Sequence, residues 1–233
     1  MVAGPLPTDP TIIHGQLRIE TSGQTMNVGQ SSQYGIINWN SFNVGAGHTV
    51  NFNNGSGATL NRVTGLDASS INGTLTATGS LYLINRNGVI IGTDGRVLTG
   101  GTFVASTLDI LNADFLSGGR GFSLFGNSTQ GVTNLGKITS TGGDVLLTGY
   151  TVSNKGMIEA AQGRVGLAAG TKVDVVTDAG WLNGAYAVSL GERGNDVTNE
   201  GRIQALAAEL RTYNGVSGGA NTVYFWRLQN HLS

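Results

Sequence analysis

Several groups of side chains in this 233-residue chain have types and spacings that could do chemistry. Gly215-Val216-Ser217-Gly218-Gly219 fits the Gly-x-Ser-x-Gly pattern of a serine nucleophile. That chemistry needs a strand, a sharp turn and a helix in an α/β sheet to present the hydroxyl. Asp94, Asp109 and Asp114 lie near one another in sequence, and carboxylates gathered on one outer face could cleave polysaccharides. Nothing in the spacing aligns them on one face. The three histidines, His14, His48 and His231, are far apart and form no metal-binding spacing, which argues against a metal site. Gly118 to Ser123 approaches a calcium-binding nonapeptide, but Ser123 stands where Asp is needed and the stretch occurs once. Asp144 and Arg164 lie 20 residues apart and are expected to stack as a surface charge pair. Asn54-Gly-Ser, Asn72-Gly-Thr and Asn127-Ser-Thr fit the N-glycosylation pattern, as chance allows in a chain this rich in Asn, Ser and Thr. The reading is therefore of a non-enzyme without cofactors.

The surrounding composition narrows the class. Gly is present 38 times and Pro only 3 times, so Gly is about twice as common as usual and Pro is scarce. Gly does not recur at every third residue, which excludes collagen. With 39% hydrophobic residues and a net charge of −1, the chain can bury a core. It also has no basic stripe with which to bind nucleic acid. No apolar run is long enough to span a bilayer. "MVAGPLPTDP" lacks the basic region and apolar core of a secretory leader, so Met1 is read as an added start on a mature N-terminus. The absence of Cys suits a chain exported unfolded.

The elements that would position any site are short strands. "SLYLINRNGVIIGTDGRVLTGGTFVAST" (Ser80–Thr107) alternates short apolar segments with Asn-Arg-Asn-Gly, Asp-Gly and Gly-Gly turns, and leaves no room for a crossover helix. "NLGKITSTGGDVLLTGYTVS" begins at Asn134 and "NKGMIEAAQGRVGLAAGTKV" at Asn154, 20 residues later. Another copy, "NEGRIQALAAELRTYNG", begins at Asn199, and an earlier relative spans Ile71–Asn85. A period near 20 with strand alternation signals a solenoid. The Leu-x-x-Leu-x-Leu frame of leucine-rich repeats is missing, so the pattern predicts a parallel β-helix. Each coil would hold three short strands, with Val and Leu pointing inward and Gly and Asn at the corners. Residues 11–60 are read as an N-terminal β cap with the first coils, and 61–173 and 197–220 as coils. Residues 174–196 are read as a hairpin excursion. The aromatic tail 221–233 either covers the last coil or is a foreign appendage.

"IINWNSFNVGAG" (Ile36–Gly47), "LNRVTG" (Leu60–Gly65), "INGTLTATGSLYLINRNGVIIG" (Ile71–Gly92) and "FVASTLDI" (Phe103–Ile110) occur in this order. Together they resemble the N-terminal secretion domain of two-partner-secretion exoproteins, the filamentous haemagglutinin and high-molecular-weight adhesin family. The resemblance covers residues 11 to 210 and implies a single domain over residues 1–233, a right-handed parallel β-helix with an N-terminal cap. It implies a secretion-targeting role, in which the chain crosses the periplasm of a Gram-negative bacterium unfolded. There it is bound by the POTRA domains of a dedicated outer-membrane β-barrel transporter. By the same resemblance it is expected to fold at the cell surface and nucleate the rest of the β-helix, and it is expected to be a monomer. Host or matrix glycans would be met through the passenger. A polysaccharide-cleaving enzyme and a glycan-binding β-helix are the competing readings.

The family's Asn-Pro-Asn-Gly motif stands here as Asn85-Arg86-Asn87-Gly88, with Arg in place of Pro. This stretch and Asn61-Arg62-Val63 are the candidate transporter-recognition residues. Their structural alternatives are a tight corner for the first, and for the second a core Val63 with Arg62 binding a carboxylate or carbonyls at the cap junction.

Overall fold

The computed structural model describes residues 4–118, 121–175, 186–189, 196–212, 216–217 and 223–225. It is a right-handed parallel β-helix whose coils present three faces. The first face stacks Thr25–Gln30, Thr49–Asn53, Thr74–Ala77, Arg96–Thr99 and Lys137–Ser140. The second stacks Tyr34–Trp39, Ala58–Val63, Ser80–Ile84, Phe103–Ser106 and Val145–Gly149. The third stacks Ser69–Ile71, Val89–Ile91, Gly131–Asn134, Thr151–Asn154 and Val197–Asn199. Beyond these coils, Met157–Ala169 and Arg202–Arg211 run through the first and second faces as single long strands. Their pairing shifts register at the corner, between Ala160 and Arg164 on the first and Ala205 and Ala207 on the second, rather than at a break. No Asn-Gly or Gly-Gly pair interrupts either strand, so the ladder carries on around the corner.

Register explains the repeat. On the first face Val50, Leu75, Val97, Ile138, Ile158 and Ile203 lie in one column, each paired with the next. All are buried in one core cluster. On the second face Leu81, Phe103, Val145 and Val165 form another column. Burying one such side chain contributes about 1.5–3 kcal/mol, and the shared register lets each coil add one to the column although the sequence separation between coils varies.

The third face changes its chemistry along its length. Ile71 and Ile91 occupy a column that continues as Asn134, Asn154 and Asn199. Asn134 Nδ2 donates to Asn154 Oδ1 at 2.8 Å, and Asn154 Nδ2 donates to Asn199 Oδ1 at 2.7 Å. All three are fully buried. The buried amide nitrogens of Asn134 and Asn154 are tolerated because the neighbour in the next coil supplies the partner.

Antiparallel pairing occurs at the N-terminal end and on one flank. Thr11–His14 pairs antiparallel with Tyr34–Trp39, and Leu17–Ser22 with Thr25–Gln30, so that end of the stack is capped. On the flank, Asp109–Ile110, Phe122–Phe125, Lys172–Val175 and Tyr186–Ser189 form a four-stranded antiparallel sheet. A short helix, Asn112–Leu116, lies between the first two of these strands. Residues 109–118 and 121–125 thus leave the coil, where the sequence predicts coils unbroken from 61 to 173. Only two apolar strands and a single turn of helix mark the departure, and they carry no repeat against which a break would show.

The flanking sheet packs on the outer side of the second face and closes a second core. Ile36, Leu60, Ile84, Val104 and Leu146 face Ile110, Phe115, Leu124 and Val173 there. Strands buried on both sides read as continuous apolar runs, which is why every residue of Phe103–Ser106 and Val145–Gly149 is buried.

Candidate functional site

The Asn85–Gly88 stretch forms a corner between Ser80–Ile84 on the second face and Val89–Ile91 on the third. Gly88 N–H donates to the Asn85 carbonyl at 3.0 Å, closing a four-residue turn. Arg86 therefore holds the second turn position, where Pro is favoured for its fixed φ and where any residue of ordinary φ is tolerated. Gly88 has φ +114°, a conformation costly for residues with a Cβ. Asn85 Oδ1 accepts from Asn87 N–H at 2.9 Å, an Asx-type bond that tightens the same turn.

Both amides then reach into the preceding coil. Asn85 Nδ2 donates to the Asp67 carbonyl at 2.9 Å and to Ser69 Oγ at 3.0 Å. Asn87 Nδ2 donates to the Gly65 carbonyl at 2.8 Å. The loop residues on either side of Leu66 are thus held by one Asn each, and Leu66 is presented 91% exposed between them. A Cβ on Gly65 would meet the Asn40 carbonyl oxygen at 2.2 Å, so only Gly fits under this loop. Asn85 is fully buried, whereas Arg86 is exposed.

Asn61, Arg62 and Val63 sit one coil earlier, and the structure brings them beside the corner. Asn61 pairs with Leu83, and Arg62 with Ile84. Asn61 is fully buried, accepts from Trp39 Nε1 at 3.0 Å and donates to the Tyr82 carbonyl at 3.2 Å. Val63 lies in the core. Arg62 turns outward. Its Nε donates to both carboxylate oxygens of Asp109 at 2.9 and 3.1 Å, and its Nη2 donates to the Ile110 carbonyl and Asn112 Oδ1. It binds a carboxylate and a carbonyl, yet at the junction with the flanking sheet rather than with the cap.

The remaining candidates are placed apart or engaged. Asp109 is committed to Arg62. Asp144 Oδ1 accepts from the backbone N–H of Arg164 at 2.8 Å, so these two stack in neighbouring coils through a backbone bond instead of a charge pair. Among the described residues no cluster of three potential metal ligands occurs. His231, Gly215, Gly218 and Gly219 lie outside the described residues, as do Trp181 and the side chains of Ser217 and Tyr186. Asn54 is buried with its amide donating to Thr59 Oγ1 and the Ser80 carbonyl, which places this sequon inside the fold. Sequence reasoning missed Leu66. The available signal was a lone Leu between Gly65 and Asp67 in an otherwise polar turn.

A family model described as the TPS secretion domain matches residues 3–221. This chain belongs to the TPS secretion domain family. Two curated relatives are similar to this TPS domain, both heme/hemopexin-binding proteins of Haemophilus influenzae. One is 34% identical over 175 residues, which is 71% of this chain and 19% of the relative. The other is 38% identical over 107 residues, 45% of this chain and 11% of the relative. The TPS domain thus spans about a fifth or less of these curated relatives' length. Among solved structures, the HMW1 secretion domain of Haemophilus influenzae superposes with a TM-score of 0.77 at 32% identity. That match covers 88% of this chain and 57% of the other. The filamentous hemagglutinin secretion domain superposes at 0.53 with 16% identity, covering 93% of each, and shares the fold.

Proposed function

We propose that this TPS domain is the export handle of a larger secreted protein of a Gram-negative bacterium. The POTRA domains of an outer-membrane β-barrel transporter bind it in the periplasm, and it seeds a β-helix once outside. The domain acts without catalysis. The observation that carries this reading is that the buried Asn85 amide uses both its oxygen and its nitrogen inside the fold, while Asn87 Nδ2 is bonded to the Gly65 carbonyl. In the folded corner Asn85 has no surface to offer a partner, so a transporter that recognises it does so before the corner forms. The same residues then close the corner once the chain has emerged. Recognition of an unfolded segment followed by consumption of its polar groups makes export directional.

Seeding is supported by the register. Each coil exposes inner columns at fixed spacing, so a following repeat finds its partners already placed. Lyase chemistry has no comparable support, since Asp109 is held by Arg62 and Asp144 receives a backbone N–H.

Co-expression of a periplasm-targeted form with its cognate barrel should release the domain to the medium. Replacing both Asn85 and Asn87 with Ala should abolish release while circular dichroism still reports β structure. Normal release of that double variant would overturn the role given to these residues. A peptide spanning Ile71–Gly92 should bind the isolated POTRA domains, and the doubly substituted peptide should not. That arm separates recognition from any loss of folding.

A further inference from the structure

A cavity of about 270 Å³ lies between the outer side of the second face and the flanking antiparallel sheet. Its walls include Tyr34, Tyr82, Phe115 and Phe122, and Asp144 stands among them. The rings do not stack flat. Phe115 meets Tyr34 at a centroid distance of 5.7 Å and 77°, and Tyr82 at 5.2 Å and 78°. Tyr82 meets Phe122 at 6.1 Å and 63°. Edge-to-face rings turn their electron-rich faces in different directions.

The charge within the cavity has one sign. Among its lining residues Asp144 carries the only formal charge at neutral pH, and there is no Lys, Arg or His. Asp144 Oδ1 accepts the Arg164 N–H, and the side chain makes no ion pair among the described residues. The carboxylate is held in place by its own backbone: Asp144 N–H donates to Thr102 Oγ1, and Thr102 N–H donates to Ser80 Oγ. Tyr82 registers the same field. Its phenol is pushed up to about 12 by burial, with the nearby charge of Asp144 and the Tyr34 phenol adding to the shift.

We propose that this cavity binds a small organic cation, an ammonium or guanidinium group on a short apolar stem. The cation would lie over the ring faces of Tyr34, Tyr82 and Phe122 and against the Asp144 carboxylate. Aromatic faces and one carboxylate complement a cation that has donors and no acceptors. The volume falls just below the range of sites for whole drug-sized ligands, which fits a head group alone. The source is either a free amine or a basic side chain of a partner, and both present the same chemistry.

The test is an NMR titration of the 233-residue chain, following the ring resonances of Tyr34, Tyr82 and Phe115. Butylammonium and butylguanidinium should shift these resonances saturably, whereas 1-butanol and methyl glucoside should not. Asp144→Asn keeps an acceptor for the Arg164 N–H and should weaken butylammonium about tenfold, the loss of one close charge partner. A blocked arginine amide that shifts the same resonances identifies a partner's side chain as a source. A response to butylammonium without one to the arginine amide identifies a free amine, and both outcomes support the site. Failure of both cations to shift the rings would overturn the proposal, as would 1-butanol or methyl glucoside binding equally well. If the Asp144→Asn protein does not fold, the contrast between butylammonium and 1-butanol on the unsubstituted chain decides alone.

Discussion

Arg86 occupies a position that the turn itself would rather give to Pro. The turn closes through Gly88 N–H and the Asn85 carbonyl, and Arg86 points to solvent. No hydrogen bond of the Arg86 N–H occurs among the described residues, so Pro would remove no donor in use. Arg86→Pro should therefore stabilise the domain by about 0.4–1 kcal/mol, by restricting the unfolded chain. A rise in the urea midpoint at unchanged slope checks this. Tyr82 sets a limit at high pH. Its phenol is neutral in the fold up to about 12, whereas in the unfolded chain it ionises near its ordinary value of 10.0. The unfolded state loses its proton first, so stability is whole below pH 10 and falls as pH rises from there through about 12. Tyr82→Phe should flatten that limb of the stability–pH curve, measured by denaturant unfolding across the alkaline range.

Among the described residues, the flanking sheet is joined to the solenoid by apolar burial and by the Arg62 cation. Arg62 on the second face spans Asp109, the Ile110 carbonyl and Asn112. Arg62→Ala removes all of these bonds and leaves Asp109 without its ion partner among the described residues. Hydrogen exchange should accelerate in 109–116 and 122–125, while Phe103–Ser106 and Val145–Gly149 keep their protection, because local opening follows local contacts. Equal acceleration throughout would show that the sheet and the coils open as one unit. The coils were legible in the sequence because Asn134, Asn154 and Asn199 each open a copy of the repeat, and the same residues build the buried ladder. The Asn85–Gly88 corner was legible as a turn for the same reason, since Asn and Gly answer a local backbone demand. The excursion at 109–118 and 121–125 and the Leu66 loop were not legible. Both depend on contacts with other coils, Arg62 to Asp109 across 47 residues and Asn87 to Gly65 across 22, and no local pattern records such pairings.

At the scale of the whole molecule, a stack of parallel coils has two ends, and each end is a row of unpaired backbone groups unless something covers it. At the N-terminal end the covering is antiparallel: Thr11–His14 lies along Tyr34–Trp39, and Leu17–Ser22 along Thr25–Gln30. Thr11–His14 is itself exposed, including Ile12 at 44% and Ile13 at 45%, so it contributes little to the core. Its value lies in pairing an edge that would otherwise be long and apolar on the inside, with Ile37 and Trp39 fully buried behind it. Removing residues 1–14 takes away this pairing together with Leu6, which packs on the core, and the Thr8–Ser41 bridge, and should expose the edge of Tyr34–Trp39 while the coils beyond it stay folded. The truncated protein should self-associate as concentration rises, seen as an earlier and broader peak in size-exclusion chromatography, with circular dichroism unchanged. Replacing Ile37 by Lys in the truncated chain would confound the result by destroying the core. The cleaner control is Asn38→Lys, which adds charge to the freed strand at a half-buried position and should reduce association. A truncated chain that stays monomeric at all concentrations would show that the cap is not what keeps one solenoid from continuing into the next.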